Sequence, residues 1–210
     1  MLKIWGRNTS INVQKVLWAL GELDLPHERI DVGGAFGRTK ESFYLEMNPN
    51  SLVPTLQEDD GFILWESNSI VRYLAAKHGA GTLEPTSPQD RARASQWMDW
   101  MLTVCAPAIH PLFWGIVRTP PEKQDHAKIA EARDKTAAAL RMLDTQLGKT
   151  AFAAGDRFSM GDIPVGLITY RFRKLVPDRT GLGLDNLERW FLGIEQRKAF
   201  REQILPVPFT

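Results

Sequence analysis

Residues 50–70 read NSLVPTLQEDDGFILWESNSI, two short apolar runs separated by a polar turn and followed by the start of a helix. The apolar runs, Val53–Gln57 and Phe62–Trp65, have the length and composition of β-strands. The turn between them, Glu58–Gly61, combines acidic residues with glycine, as hairpin turns do. A helical pattern begins near Ser67 and continues to residue 78. This stretch therefore predicts a β-hairpin that leads directly into a helix.

The residues before the hairpin predict a strand, a helix and a second strand. Leu2–Trp5 is a short strand that stops at a glycine, and apolar residues from Val13 onward fall at helical spacing until Pro26. His27–Val32 has the composition of the next strand, and two strands joined by a helix pair in parallel. A weaker helical stretch over 41–47 completes the order β-α-β-α-β-β-α. This is the order of a thioredoxin-like α/β domain with a mixed four-stranded sheet, which we expect over residues 1–79.

The second half of the chain shows helical patterns and no convincing strand. Residues 79–88 contain two glycines and two prolines, so we expect a linker over 80–88. Helical periodicity then covers four segments, Pro88 to about Arg118, Pro121 to Leu147, Ser159 to about Leu175 and Leu184 to Arg197. Residues 89–210 are therefore predicted to form an all-α C-terminal helical bundle domain.

The composition is that of an ordinary globular protein, with 43% hydrophobic and 24% charged residues. The 26 basic and 25 acidic residues give a net charge of +1, which offers no reason to expect a nucleic acid or a membrane as partner. Cys105 is the only cysteine, so no intrachain disulfide can form and a reducing compartment is indicated. We expect no signal peptide and no membrane-spanning segment, and hence a cytoplasmic protein.

Polar residues between the first strand and the first helix form the first candidate site. Thr9, Ser10 and Asn12 lie where backbone N–H groups at a helix start have no intrahelical partner. Such a helix end attracts an anion, and a thiolate held there has a pKa below the usual value of about 8.5. The alternative is that Ser10 or Asn12 only caps the helix.

The hairpin carries two further candidate sites. Proline at Pro54, at the start of an apolar strand, fits a sheet edge or a bend. With a cis peptide the backbone of Val53 faces outward and can pair with an extended peptide, whereas a trans edge proline has no such role. Ser67 opens a helix, where a carboxylate binds well, and Glu66 beside it suits an ammonium. Both charges occur at the α-amino-acid end of a peptide; helix capping is the alternative for Ser67.

Together these motifs resemble the soluble, cytosolic-type glutathione transferases, along nearly the whole chain. The resemblance rests on Ser10 at the opening of the first helix, on Val53-Pro54 before a strand and on Glu66-Ser67 before the last helix of the first domain. In the second half, Phe158–Ile163 is similar to that family's structural capping box with its hydrophobic staple, Phe158 against Ile163.

The family divides by the residue that contacts the glutathione sulfur. No tyrosine and no cysteine precedes the first helix, since the tyrosines stand at Tyr44, Tyr73 and Tyr170. The chain is therefore most similar to bacterial theta-like, serine-type members, with Ser10 in that role and Thr9 and Asn12 as competitors.

The resemblance implies an enzyme that adds the thiolate of glutathione, its co-substrate, to hydrophobic electrophiles without a metal. It implies that Val53, Pro54, Glu66 and Ser67 bind glutathione. Many relatives place a basic residue directly before the Val-Pro step, where this chain has Leu52, so Lys40 or Arg38 is expected to bind the glycine carboxylate. The alternative for Lys40 and Arg38 is that each is a solvated surface charge without this role.

The resemblance also implies an electrophile pocket and a homodimer. The pocket is expected at His110, Phe113 and Trp114, although a histidine or phenylalanine on an apolar stretch also fits simple core packing. In the dimer, Asp99 is expected to reach the glutathione of the partner; a solvated helical acid is the alternative. A glutathione-dependent dehalogenase or isomerase, or a non-catalytic dimerisation or regulatory module, is the alternative function.

Overall fold

The computed structural model describes all 210 residues, which divide into two compact units. Met1–Glu84 and Arg197–Thr210 form the first, which we call the sheet unit, and Pro85–Gln196 form the second, the helical unit. The observed boundary after residue 84 lies inside the expected linker. The last 14 residues differ from the expectation, because they pack with the sheet unit rather than with the helices of residues 89–210.

The sheet unit contains a mixed four-stranded sheet in the order β2-β1-β3-β4. β1 pairs with β2 in parallel, with Leu2 opposite His27, and with β3 antiparallel; β3 and β4 form the predicted antiparallel hairpin. The predicted element order is confirmed. The strands are β1 Leu2–Trp5, β2 His27–Ile30, β3 Thr55–Gln57 and β4 Ile63–Trp65, and the helices of residues 1–84 are α1 Ile11–Glu22, α2 Ser42–Met47 and α3 Ser67–His78.

The core of the sheet unit forms where α1 packs against α3. The apolar stripe predicted for α1 is buried, as are the facing residues of α3 and the central strands. Removing each such side chain from water contributes about 1.5–3 kcal/mol. The fully buried apolar residues include Val13, Val16 and Leu20 of α1, Ile70, Val71 and Leu74 of α3, Ile4 and Leu56.

A short C-terminal helix, α9 Lys198–Gln203, packs on α1 and explains the corrected domain boundary. The ring of Phe200 meets Trp18 edge-on at 4.9 Å between centroids. The Glu22 carboxylate accepts hydrogen bonds from Arg197 Nε and Nη2 at 2.7 and 2.6 Å. Apolar contact and a bidentate ion pair thus join the end of the chain to its first helix.

The helical unit contains five α-helices, and the four predicted helical segments are confirmed. α4, α5 and two π-helical turns, Met101–Cys105 and Trp114–Arg118, form the continuous helix Pro88–Arg118. The second predicted segment begins later than expected, because Pro121 lies in a 3₁₀ turn and Asp125 caps the helix start. The helices are α4 Pro88–Trp100, α5 Ala106–Phe113, α6 His126–Leu147, α7 Asp162–Leu175 and α8 Asp185–Glu195.

The long helix Pro88–Arg118 is apolar enough, by length and composition, to cross a membrane, with a mean hydropathy of 1.5 over 18 residues. This does not overturn the expectation of no membrane-spanning segment, which stays a prediction. A core helix of a globular domain passes the same test, and here the helix packs on α6 and α7. Its inward residues, all buried, are Ala94, Met98, Met101, Cys105, Ile109 and Leu112.

The predicted capping box fixes the start of α7. The buried Asp162 carboxylate accepts hydrogen bonds from the N–H of Ser159 at 3.0 Å and from the N–H of Ala153 at 2.9 Å. Gly161 lies against α4 so closely that a Cβ there would be 2.9 Å from the Cα and O of Ala94. Phe158 packs edge-on against Phe152, and its staple contact with Ile163 remains a prediction.

Candidate functional site

Ser10 occupies the N-cap position of α1 but does not cap the helix with its side chain. Its N–H donates to the carbonyl of Arg7 at 3.2 Å, and its C=O accepts from the N–H of Gln14 at 2.9 Å. The half-buried hydroxyl makes no hydrogen bond within the chain. The capping alternative for Ser10 is therefore wrong, and the hydroxyl remains free at the positive end of the α1 dipole. Thr9 precedes it in the same turn.

Asn12 and Lys15 of α1 converge on the hydroxyl that opens α3. Ser67 Oγ donates to Asn12 Oδ1 at 3.4 Å, and Lys15 Nζ donates to Ser67 Oγ at 3.4 Å. These are long hydrogen bonds, but Lys15 and Ser67 are both buried, so their electrostatic effect is little screened. The capping alternatives for Asn12 and Ser67 are wrong, because neither side chain caps its helix. A buried ammonium at a helix N-terminus favours a carboxylate ligand.

Lys15 is the residue of this cluster that sequence analysis missed. A lysine in an amphipathic helix is typical of the solvent face, yet Lys15 has no exposed surface. Only the packing of α1 beside α3 brings the Lys15 ammonium to the Ser67 hydroxyl.

Glu66 joins β4 to α3 in an uncommon backbone conformation. Its φ is +71°, in the left-handed region that non-glycine residues avoid, and its side chain is exposed. The carboxylate forms no hydrogen bond or ion pair within the chain. Residues in this region cost about 1–3 kcal/mol each and cluster at ligand sites. Glu66 therefore presents an unneutralised carboxylate next to the Ser67 hydroxyl.

The Val53–Pro54 peptide is cis, as predicted. The loop before it is held by two side chains that donate to the carbonyl of Leu52, Tyr44 Oη at 2.6 Å and Asn48 Nδ2 at 2.9 Å. Neither was recognised from the sequence. Burial raises the pKa of the Tyr44 hydroxyl, so it stays protonated and can donate. Neither the N–H nor the C=O of Val53 is hydrogen-bonded within the chain, which leaves both for a ligand.

The two cations expected to replace a basic residue at Leu52 differ in their surroundings. The Arg38 guanidinium lies 4.7 Å from the centroid of the Phe43 ring, and its Nε is 3.5 Å from Glu41. Lys40 is exposed and makes no ion pair. Leu52 itself is 64% exposed.

Arg7 is a third cation, and the sequence analysis did not single it out. Its guanidinium lies along the Gly33–Gly34 backbone, where a Cβ on Gly34 would be 2.9 Å from Arg7 Nε. A Cβ on Gly33 would likewise lie 3.5 Å from Arg7 Nη1 and 3.1 Å from the side chain of Val53. Arg7 therefore lies beside the Val53-Pro54 loop, and the glycines allow that approach.

The residues expected to meet the electrophile lie on one helix of the helical unit. His110 and Trp114 stack at 5.4 Å between ring centroids, and both are exposed. The core alternative for His110 is therefore wrong. Phe113 is only 7% exposed, so for this residue core packing is correct. The expected acid Asp99 is exposed on α4, where its carbonyl accepts from Thr103 Oγ1 at 2.9 Å.

Cys105 is buried in the helical unit, and burial raises the pKa of its thiol to about 12. A thiol with this pKa is protonated at neutral pH and is a poor nucleophile. No cluster of three or more His, Cys, Asp or Glu residues lies within metal-binding distance.

Comparison with known families assigns both units. Residues 9–77 match the family described as glutathione S-transferase, N-terminal domain, and residues 105–198 match glutathione S-transferase, C-terminal domain. These matches together cover more than half of the chain. The chain belongs to the glutathione S-transferase family.

Individual relatives agree with this assignment. The transferase is 42% identical over 206 residues to glutathione S-transferase GstB of Escherichia coli, covering 98% of each chain. It is 26% identical over 212 residues to glutathione S-transferase 3 of Zea mays, covering 99% of this chain and 95% of the relative. The theta class glutathione S-transferase from Xanthomonas axonopodis pv. citri, solved with glutathione bound, superposes with a TM-score of 0.92 at 40% identity and covers 100% and 99% of the two chains.

The predicted resemblance, fold class and enzyme class are confirmed. The protein is a glutathione transferase, so the alternative of a non-catalytic module is set aside.

Proposed function

We propose that this transferase holds the glutathione sulfur at Ser10 and stabilises it as a thiolate. The observation that carries the proposal is the Ser10 hydroxyl, which caps nothing although it occupies the N-cap position of α1. A hydroxyl that donates to sulfur, together with the positive end of a helix, lowers the pKa of a thiol. Asn12 is already engaged with Ser67, which leaves Thr9 as the competitor for the role. The Xanthomonas relative was solved with glutathione bound, which supports glutathione as the ligand of this chain.

The γ-glutamyl end of glutathione binds, in this proposal, where α3 begins. Ser67 and the α3 N-terminus receive the α-carboxylate, and the buried Lys15 adds positive charge. Glu66, which lacks a partner, pairs with the α-ammonium. The free N–H and C=O of Val53, before Pro54, pair with the peptide backbone as an added strand.

The glycine carboxylate has two candidate partners, Lys40 and Arg7. Lys40 makes no ion pair, and Arg7 lies beside Val53, whereas Arg38 is engaged by Glu41 and Phe43. Calorimetric titration of glutathione into Lys40→Met, Arg7→Met and Arg38→Met separates them. The variant that loses affinity identifies the partner, and equal affinity in all three contradicts the proposal.

The exposed His110–Trp114 pair is the proposed contact surface for a hydrophobic electrophile. The thiolate adds to the electrophilic atom, with catalysis by proximity and by stabilised negative charge. Dehalogenation or isomerisation on the same site begins with the same thiolate and remains the alternative reaction.

We further propose that the protein is a cytoplasmic homodimer that detoxifies electrophiles. In the dimer, Asp99 contacts the γ-glutamyl ammonium of the glutathione bound to the partner. Light scattering tests the dimer, and titration of glutathione into Asp99→Asn tests the role of Asp99.

Conjugation to 1-chloro-2,4-dinitrobenzene tests the role of Ser10. Ser10→Ala is expected to lower kcat about 10- to 100-fold, the effect of losing one hydrogen bond to a charged atom. The pKa of bound glutathione, followed by thiolate absorbance, should rise in the same variant. Thr9→Ala is the matched control, since it removes a neighbouring hydroxyl. Full activity in Ser10→Ala with loss in Thr9→Ala would assign the role to Thr9 instead.

A further inference from the structure

Two guanidinium groups of the helical unit lie against one aromatic ring. The Cζ of Arg171, on α7, is 4.3 Å from the centroid of Phe113, and the Cζ of Arg118, at the end of the long helix, is 5.6 Å from it. Both distances are within the range of cation–π contact. The ring therefore brings two like charges together.

The π-helical turn Trp114–Arg118 is what brings Arg118 to this ring. In an α-helix residues three and four apart are neighbours, whereas the i→i+5 bonding of a π-helix aligns residues five apart. Phe113 and Arg118 are five apart, and the turn between them is π-helical. π-helical turns occur frequently at functional sites.

Neither arginine is neutralised within the chain. Arg118 and Arg171 form no hydrogen bond and no ion pair, and burial together with the nearby Arg118 lowers the pKa of Arg171 to about 10. The other two half-buried arginines of the helical unit, Arg173 and Arg179, both form ion pairs with the carboxylate of Glu188. The Nε of Arg179 lies 2.7 Å from that carboxylate. A half-buried guanidinium beside a second cation is unfavourable unless an anion completes the cluster.

We propose that Arg118 and Arg171 form a binding site for the carboxylate of an organic acid with an apolar body. The planar, forked guanidinium matches a carboxylate in two-point contact. His110 and Trp114 stack four residues apart on the same helix, and Trp114 begins the π-helical turn that ends at Arg118. The exposed His110–Trp114 pair is therefore close enough along the chain to contact the apolar part of the same molecule. This inference rests on the proposed function. It predicts that the preferred electrophiles are those that carry a carboxylate.

Binding of a non-reactive probe tests the site without the chemistry. Phenylacetate is titrated into wild-type protein and variants by calorimetry, and benzyl alcohol serves as the uncharged comparison. We expect wild type to bind phenylacetate at least 10-fold more tightly than benzyl alcohol, and Arg118→Gln and Arg171→Gln to lose that preference. Arg157→Gln, which removes an exposed and unpaired arginine elsewhere in the unit, is the matched control and should behave as wild type.

Three outcomes of the probe titration overturn the proposal: equal affinity for the two probes, an unchanged affinity in Arg118→Gln, or tighter binding of inorganic phosphate than of phenylacetate. Arg118 is exposed, so its variant is expected to fold, and circular dichroism checks this. Ser10→Ala should bind phenylacetate as wild type does. A variant that loses conjugation but still binds phenylacetate therefore tests only the role of Ser10. A variant that keeps conjugation but loses phenylacetate binding tests only the role of the arginine pair.

A conjugation assay then connects the site to substrate choice. The ratio of kcat/KM for 4-chloro-3,5-dinitrobenzoate to that for 1-chloro-2,4-dinitrobenzene should fall about 10-fold in Arg118→Gln, because only the first substrate carries a carboxylate. An unchanged ratio overturns the link to the electrophile.

Discussion

The Lys15 ammonium is buried next to the Ser67 hydroxyl at the start of α3, and this position gives it a testable role. Lys15→Met keeps the length of the side chain and removes its charge. We expect glutathione to bind about 10-fold more weakly, because a little-screened charge near its carboxylate is lost. The Tm should fall, because the buried Ser67 hydroxyl loses the donor that Lys15 supplies. Calorimetry and thermal melts measure the two effects.

The control for this change is Lys128→Met, which removes an exposed lysine from α6. It should leave both glutathione affinity and Tm close to wild type. A Lys15→Met protein that binds glutathione normally would remove Lys15 from the site.

Cys105 makes stability depend on pH in the alkaline range. Burial raises the pKa of the Cys105 thiol in the folded state to about 12 from its ordinary value of 9.0, so the folded state favours the neutral thiol. The contribution of this thiol to the free energy of unfolding is fully present below pH 9. It is lost as the pH rises from 9 toward 12, because the thiol ionises first in the unfolded state. Near pH 10.5 the loss is about 2 kcal/mol. Cys105→Ala should therefore show a smaller fall in Tm between pH 8 and 10.5 than wild type, and parallel curves would contradict this.

At the scale of single elements, Gly161 fixes how closely α7 begins against α4. Gly161→Ala places a Cβ 2.9 Å from the backbone of Ala94, which cannot move away as a flexible side chain would. We expect a loss of about 1–3 kcal/mol and a Tm lower by several degrees. Urea unfolding followed by circular dichroism measures it.

Gly193 on α8 is the matched control, because nothing lies within 4 Å of a Cβ built there. Gly193→Ala should stabilise the protein by about 0.5–1 kcal/mol, since alanine is the better helix former. The two glycine-to-alanine changes are thus expected to have opposite signs, and a shared sign would show that helix propensity or packing alone governs both positions.

The elements that sequence analysis predicted are those with local signals. The hairpin of β3 and β4 carries its own turn residues, the stripe of α1 has helical spacing, and the start of α7 carries its capping box within four residues. Ser10, Glu66 and Ser67 of the site were found for the same reason, because they stand at helix starts. Local chemistry was sufficient for these.

Contacts between segments distant in sequence could not be predicted in this way. Lys15 lies 52 residues from Ser67 and Arg118 lies 53 residues from Arg171, so no periodicity links them. α9 is too short to show a clear helical pattern, and its place on α1 depends on packing between opposite ends of the chain. The π-helical turn that aligns Phe113 with Arg118 also has no compositional signature.

At the scale of the whole molecule, the C-terminal segment is part of the unit that contains Ser10. Phe200 is fully buried against Trp18 of α1, so Phe200→Ala should destabilise the sheet unit by about 3–5 kcal/mol. Glutathione affinity should fall with it, because α1 carries the sulfur site at its N-terminus. Urea unfolding and calorimetry at the same temperature measure both.

Phe36→Ala serves as the comparison, because Phe36 is 52% exposed in a 3₁₀ turn of the same unit. That change should cost well under 1 kcal/mol. Equal stability losses in the two variants would mean that α9 does not support α1.

The placement of residues 197–210 beside α1 also has a consequence for synthesis on the ribosome. The chain leaves the sheet unit at Glu84 and returns at Arg197, after about 110 residues of the helical unit. At cellular translation speeds this takes roughly 6 to 22 s, during which Trp18 has been made but the ring that covers it has not. We expect the nascent first unit to remain open to chaperones and proteases throughout that interval. Its packing is completed only when the final codons have been read and the C-terminal helix leaves the exit tunnel.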